Sequence, residues 1–187
     1  MLLKWSLKRM KRIQQYMESN KVQLLKQPIF KDNRGRFIPM KLDGTWVQSN
    51  VSLNEGSYVL RGMHLQKAPK QQSKMVTVLS GRIVDIVTDL RVDSPTYKLT
   101  EYYVLEEGDC VFVPKGYAHG FFTLTHNAIV NYLVDEEYSP EHEVSILWSS
   151  IPEVVSVIDR FCITSLQDVS ISDKDKNAIT LQTYLNN

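Results

Sequence analysis

GDCVFVPKGYAHG, residues 108–120, is the stretch from which the architecture is read. CVFV is a short apolar run, and Pro114-Lys115-Gly116 closes it with turn chemistry: proline fixes φ and glycine frees it. A second run, residues 120–124, follows at once, so the stretch is strand, tight turn, strand. The same unit recurs on both sides. Residues 46–52 (WVQSNVS) and 97–105 alternate with a period of two, and residues 128–134 form another short run. MVTVL, Ser80-Gly81 and RIVDIVTDL, residues 75–90, read as a hairpin. Asn54-Glu55-Gly56, Glu106-Glu107-Gly108-Asp109 and Thr125-His126-Asn127 supply the intervening turns. Many short strands with tight turns and no strand–helix alternation predict an all-β sandwich or barrel.

The ends differ. In residues 1–20, Leu3, Leu7, Met10 and Met17 share one face and Lys4, Lys8, Lys11 and Gln15 another, which predicts a basic amphipathic helix. Such a helix can lie on a membrane surface, but more often docks on its own domain or a partner subunit. From Val22 the period turns to two; Gln27-Pro28-Ile29-Phe30 reads as a strand entry and DNRGR, residues 32–36, as a turn. Beyond Trp148 the alternation fades, and residues 152–157 and 170–179 (SISDKDKNAI) read as short helices and loops. Residues 1–26 are taken as an N-terminal helical extension and 27–187 as one domain.

Composition narrows the function. With 187 residues, 43% of them hydrophobic, the chain can bury a full core. A net charge of +1 argues against nucleic acid as the main partner. Cys110 and Cys162 stand alone, in no CxxC or Cys/His cluster, as buried thiols of a reducing compartment do. No run approaches the roughly 18 apolar residues of a membrane span, and the N-terminus lacks a signal-peptide core, so the expected location is cytoplasmic.

Chemistry concentrates in VLRGMHLQ, residues 59–66, and its continuation to Lys74. Arg61 is a permanent cation, His64 can titrate near neutrality and Lys74 adds a compact positive charge. The trio suits an anionic substrate with a removable proton; a merely basic surface loop is the plainer alternative.

The spacing of glycine, proline, glycine and histidine in residues 108–120 resembles the second conserved motif of the cupins, small double-sheet jelly-roll barrels. The resemblance implies that the turn reverses the chain at the barrel mouth and His119 projects inward. Metal-binding cupins carry two histidines one residue apart and then a glutamate in their first motif. Here that place reads His64-Leu65-Gln66. Two histidines fall short of the three or four ligands a divalent ion needs, so no metal is expected and the chemistry falls to side chains.

VLRGMHLQ, QSKMVTV, IVDIVTDLRVDSPTY, VPKGYAHGF, NYLVDEEYSP and ISDKD occur in this order between residues 59 and 175. Together they resemble the dTDP-4-dehydrorhamnose 3,5-epimerases and relatives that act on nucleotide-linked 4-keto-6-deoxy sugars, over roughly residues 30–175. A C4 ketone acidifies the protons on C3 and C5. Inversion needs a base on one face, an acid on the other and a positive group near the ketone oxygen, without a cofactor. By motif position the resemblance makes His64 the base, oriented by Asp175, Tyr132 the opposite acid and Lys74 the enolate stabiliser. It makes Arg61 a substrate-binding residue and has His119 and Asp85 line or support the pocket. Arg34, Gln48 and Asn50 match nucleotide contacts, partly reaching a partner subunit; Phe30 and Tyr138 are candidates to stack on the base. Read without the resemblance, His119 and Tyr132 are equally core residues with satisfied polar atoms, and Asp173 competes with Asp175.

The chain departs from the pattern at Pro39, where an acid is usual, and at Glu137, where an aromatic residue is. The expected protein is an all-β cupin-type jelly roll (double-stranded β-helix) with the N-terminal helical extension and short C-terminal helices, a homodimer. It is expected to be an epimerase of a nucleotide-linked, dTDP-carried 4-keto sugar. The alternatives are an epimerase of C3 or C5 alone, a ketoisomerase on a related substrate, and a non-catalytic sugar-nucleotide-binding cupin; a metal-dependent oxygenase ranks last.

Overall fold

The computed structural model describes residues 20–27, 29–32, 35–38, 46–162 and 165–186, with the side chains of 31–36 excluded. The expected N-terminal helix and Arg34 lie outside the described residues. Twelve strands dominate what is described: β1 (Gln23–Lys26), β2 (Phe30–Asp32), β3 (Gly35–Phe37), β4 (Gln48–Asn54), β5 (Leu60–Gln66), β6 (Lys74–Ser80), β7 (Arg82–Asp89), β8 (Thr100–Glu106), β9 (Asp109–Val113), β10 (Tyr117–Thr123), β11 (Ala128–Val134) and β12 (Glu143–Ser145). Three short α-helices follow: α1 (Pro152–Phe161), α2 (Asp173–Lys176) and α3 (Leu181–Leu185).

The strands form two five-stranded antiparallel sheets, ordered β1-β9-β6-β11-β4 and β12-β5-β10-β7-β8, with β2 and β3 as a separate ribbon. The expected 75–90 hairpin is corrected here. β6 and β7 are consecutive but do not pair; β6 lies between β9 and β11, β7 between β10 and β8. Ser80-Gly81 is a corner between sheets, and Gly81 turns it at φ +82°, a backbone region costly for residues with a Cβ. A central strand is apolar on both sides whichever sheet it joins, so the hydrophobic pattern could not choose. Residues 23–26, at the end of the expected helical extension, are strand and not helix: β1 pairs with β9 at the sheet's edge.

Alternation assigns the faces. Val76, Val78 and Val130 of the first sheet meet Ile83, Val87 and Phe121 of the second in the core between them. The other face of the second sheet, with Leu60, Val84, Ile86 and Phe122, is covered by Val154, Val157 and Ile158 of α1. RIVDIV is therefore continuous because β7 is buried on both faces. α1 starts with Pro152 in its first turn, where no N–H partner is lost, and buries one stripe at three-to-four spacing. Each fully buried Ile, Leu or Phe contributes about 1.5–3 kcal/mol. Among the described residues no helix is long and apolar enough to cross a membrane.

β4 inverts the usual pattern. Its inward positions are polar, with Ser52 and Asn54 buried, while Val51 and Leu53 on the other side are 57% and 64% exposed. Among the described residues β4 pairs with β11 alone and so ends the sheet.

Candidate active site

A cavity of about 780 Å³ opens between the sheets, and Arg61, His64, Lys74, His119, Tyr132 and Asp175 line it. A backbone irregularity brings the first two together. Residues three apart on a regular strand point to opposite faces. The pairing of β5 with β10 slips between His119↔His64 and Phe121↔Arg61, three residues on β5 opposing two on β10, so Arg61 and His64 share the cavity side. Two glycines permit the slip. A Cβ on Gly62 would stand 2.6 Å from the Gly120 Cα, and one on Gly120 would stand 2.7 Å from the Arg61 carbonyl oxygen. Only bare backbone fits on both sides.

Asp175 arrives from the far end of the chain. Leu60 N–H donates to the Ser170 carbonyl and Ser170 N–H to that of Tyr58, both at 2.9 Å, which stitches the C-terminal segment to the start of β5. Ser172 then caps α2, its hydroxyl accepting from Asp175 N–H at 3.2 Å. The Asp175 carboxylate is 2.6 Å from His64 Nε2 through Oδ1, and its Oδ2 accepts from Gly62 N–H at 3.4 Å. Burial pushes this carboxyl up, but the bonds from His64 and Gly62 outweigh it and hold it below the usual carboxylate range. An ionised carboxylate only accepts, so in neutral His64 the hydrogen sits on Nε2 and Nδ1 carries the lone pair. Nδ1 is the ring nitrogen able to accept a proton.

Tyr132 faces this dyad from the other sheet. Burial raises its phenol and the nearby Arg61 lowers it, with a net rise, so the hydroxyl keeps its proton at neutral pH. Lys74 Nζ donates to the His64 carbonyl at 3.4 Å. Burial lowers its ammonium to about 8, against the attraction of Asp85 and Glu143, which leaves it cationic at neutrality but close to its limit. His119 Nε2 is 2.8 Å from Asp85 Oδ2; Asp85 lies behind His119, fully buried, and its Oδ1 has no hydrogen-bond partner among the described residues. Arg61 Nε donates to Asn54 Oδ1 at 2.8 Å.

The remaining expected residues stand outside the cavity wall. Gln48 donates to Asn50 Oδ1 at 2.7 Å and accepts from Tyr138 N–H at 3.1 Å, so those three form one cluster beside it. Phe30 is 54% exposed on the β2–β3 ribbon. Gln66, at the place of the cupin acid, is a staple: its amide donates to the Lys70 and Glu137 carbonyls and accepts from Ser139 N–H. Among the described residues no three His, Cys, Asp or Glu side chains converge as a ligand set.

Sequence reasoning missed two residues. Glu143 Oε2 accepts from Lys174 Nζ at 2.6 Å and from the Tyr138 hydroxyl at 2.7 Å, and Lys174 lines the cavity. Burial raises the Glu143 carboxyl, and the bonds from Lys174 and Tyr138 bring it net below its ordinary value. Lys174 could have been found beside Asp175; Glu143 sits in a three-residue strand too short to carry a period.

The cavity thus brings together a histidine paired with a carboxylate, a protonated phenol from the other sheet, and the side chains of Arg61 and Lys74. A family model described as dTDP-4-dehydrorhamnose 3,5-epimerase matches residues 17–183. The chain belongs to this family. Among its epimerase relatives, the dTDP-4-dehydrorhamnose 3,5-epimerase of Methanothermobacter thermautotrophicus is 35% identical over 165 residues, 82% of this chain and 86% of that one. The crystal structure of the Bacillus anthracis epimerase, with TDP and PPi bound, superposes with a TM-score of 0.74 at 36% identity, covering 86% of this chain and 94% of that one. A 3'-monoepimerase of Streptomyces bikiniensis, in complex with dTDP-quinovose, gives 0.74 at 27% identity, covering 88% and 86%.

Proposed function

We propose that the protein is a 3,5-epimerase of a dTDP-linked 4-keto-6-deoxy sugar, acting in dTDP-rhamnose synthesis. The observation that carries the reading is the 2.6 Å His64–Asp175 contact facing the Tyr132 phenol across one cavity. His64 Nδ1 takes a proton from the carbon beside the ketone; the C–H electron pair moves onto the ketone oxygen as an enolate. Lys74 stabilises the negative oxygen. Tyr132 returns a proton from the opposite face, a new C–H bond forms and the centre is inverted. The imidazolium and phenolate then reset through solvent. Arg61 and Lys174 serve the anionic part of the substrate, and His119, held by Asp85, shapes the sugar end.

Further parts of the reading have their own support. The connection of β6 to β7 across sheets fits a cupin-type jelly roll. Residues 1–26 are read as the extension and 27–187 as a single cytoplasmic domain. The apolar outward face of β4 fits a homodimer interface, since a lone chain would leave that edge to water. The exposed ribbon with Phe30 fits a nucleotide contact delivered, with Arg34, to a partner's cavity; Gln48, Asn50 and Tyr138 would meet the nucleotide from this chain. The 3'-monoepimerase relative favours one alternative, inversion at a single carbon.

Proton NMR in D2O with dTDP-4-keto-6-deoxyglucose separates the readings. Loss of both the C3 and C5 signals is expected; loss of one names a monoepimerase, and loss of neither refutes the epimerase. Tyr132→Phe should still exchange protons while product inversion slows.

A further inference from the structure

Arg61 differs from the basic side chains His64, His119 and Lys174 of the cavity in what holds it. His64 is matched by Asp175, His119 by Asp85 and Lys174 by Glu143, so each of those carboxylates already has a partner. Among the described residues, Arg61 makes one side-chain bond, from Nε to the neutral amide oxygen of Asn54, at 2.8 Å. Both terminal nitrogens of its guanidinium are left for a ligand.

Asn54 is built into this position. It is 3% exposed and all its polar capacity is used. Its Nδ2 donates to the Ala128 carbonyl at 2.9 Å and to the Ser52 carbonyl at 3.3 Å; its Oδ1 accepts from Ser52 Oγ at 3.1 Å as well as from Arg61. Two carbonyls on one side force the amide nitrogen towards them, so the oxygen must face Arg61. A carboxylate there would set oxygen against carbonyl oxygen and would neutralise the arginine. A hydrocarbon would leave Nε unheld. An amide alone fixes the guanidinium and leaves its charge unspent.

We infer that Asn54 is a positioning residue for the diphosphate of the substrate, holding Arg61 by Nε so that its two terminal nitrogens, still fully charged, grip the phosphate oxygens. This rests on the nucleotide-sugar reading above. Planar, two-pronged contact with phosphate is what a guanidinium does best, and only a fixed plane can use it.

The test is a double-mutant cycle on the full chain, read by calorimetric titration with dTDP and by KM and kcat. Arg61→Gln removes a charge-assisted contact and should weaken dTDP by about 10- to 100-fold. Asn54→Ala removes the anchor on Arg61 Nε, together with the amide's bonds to Ser52 and Ala128, and should weaken dTDP by about 3- to 10-fold through the freed guanidinium, raising KM with kcat changed by less than about twofold. In the Arg61→Gln background, Asn54→Ala should change dTDP binding by less than about twofold, because the residue it works through is gone. Asn54→Asp should weaken binding more than Asn54→Ala. A merely structural Asn54 would weaken binding equally with and without Arg61, and that result overturns the inference. Asn54→Ser runs the same cycle if melting shows Asn54→Ala unfolded. Wild-type protein that binds neither dTDP nor its keto sugar would instead overturn the functional reading on which the inference stands.

Discussion

Asp175→Asn changes one atom and should nearly silence the enzyme. In the wild type, Oδ2 accepts from Gly62 N–H and Oδ1 faces His64 Nε2 at 2.6 Å. An asparagine must still offer an acceptor to Gly62, which turns its amide nitrogen towards Nε2. The imidazole then accepts there and carries its hydrogen on Nδ1, where it cannot act as a base. Restoring the productive tautomer sets two donors against each other, at about 1–3 kcal/mol, and forfeits a charge-assisted bond of about 1.5–3 kcal/mol. The sum, roughly 3–6 kcal/mol, lowers kcat by about 10²- to 10⁴-fold. The assay is the rate of C3 and C5 exchange in D2O, with dTDP binding and melting temperature as controls. An Asp175→Asn protein that folds, binds dTDP and exchanges within about tenfold of wild type would refute the dyad. Stability gives a second reading. Asp175 is depressed in the fold, so its contribution is present above the unfolded value near 3.9 and is lost as pH falls through the lower folded value. The stability gap between wild type and variant should hold at neutral pH and close in acid.

Three further outcomes follow from the geometry. If the Lys74 ammonium stabilises the enolate, kcat/KM should fall above pH 8, since burial has lowered that group to about 8; in Lys74→Arg the alkaline limb should move up by more than about one pH unit, read from the pH–rate profile. Gly120→Ala places a Cβ 2.7 Å from the Arg61 carbonyl and 2.9 Å from Met63 Sδ. Overpacking of this kind costs about 1–3 kcal/mol, so melting should drop by roughly 2–12 °C, and activity should fall as Arg61 and His64 lose their shared side. Leu53→Glu on the exposed face of β4 should shift sedimentation from dimer to monomer at micromolar concentration; an unchanged dimer would remove β4 from the interface.

How much of this could be read from the chain alone depends on the length of the signal. The strands at residues 110–113 and 128–134 were legible because short apolar runs bounded by turn residues are hard to mistake. Which sheet each joins was not, as β6 and β7 show: two-sided burial erases the period that would mark a face. Arg61 and His64 were legible as chemistry, yet their spacing of three spoke against a shared wall. Gly62, a glycine inside a strand pattern, was the available sign of the slip that reconciles them. The His64–Asp175 contact spans 111 positions, and only an ordered set of motifs could have joined its ends. Glu143 left no trace, because a three-residue strand has no period.

That separation of 111 positions also sets an order of events as the chain is made. The ribosome, at about 5–20 residues per second, delivers the base and every wall of the cavity before the carboxylate that orients the base. A chain that stops short of Asp175 carries an imidazole with no carboxylate to set its hydrogen. On the proposed mechanism, catalysis waits on a carboxylate made long after the imidazole that it orients.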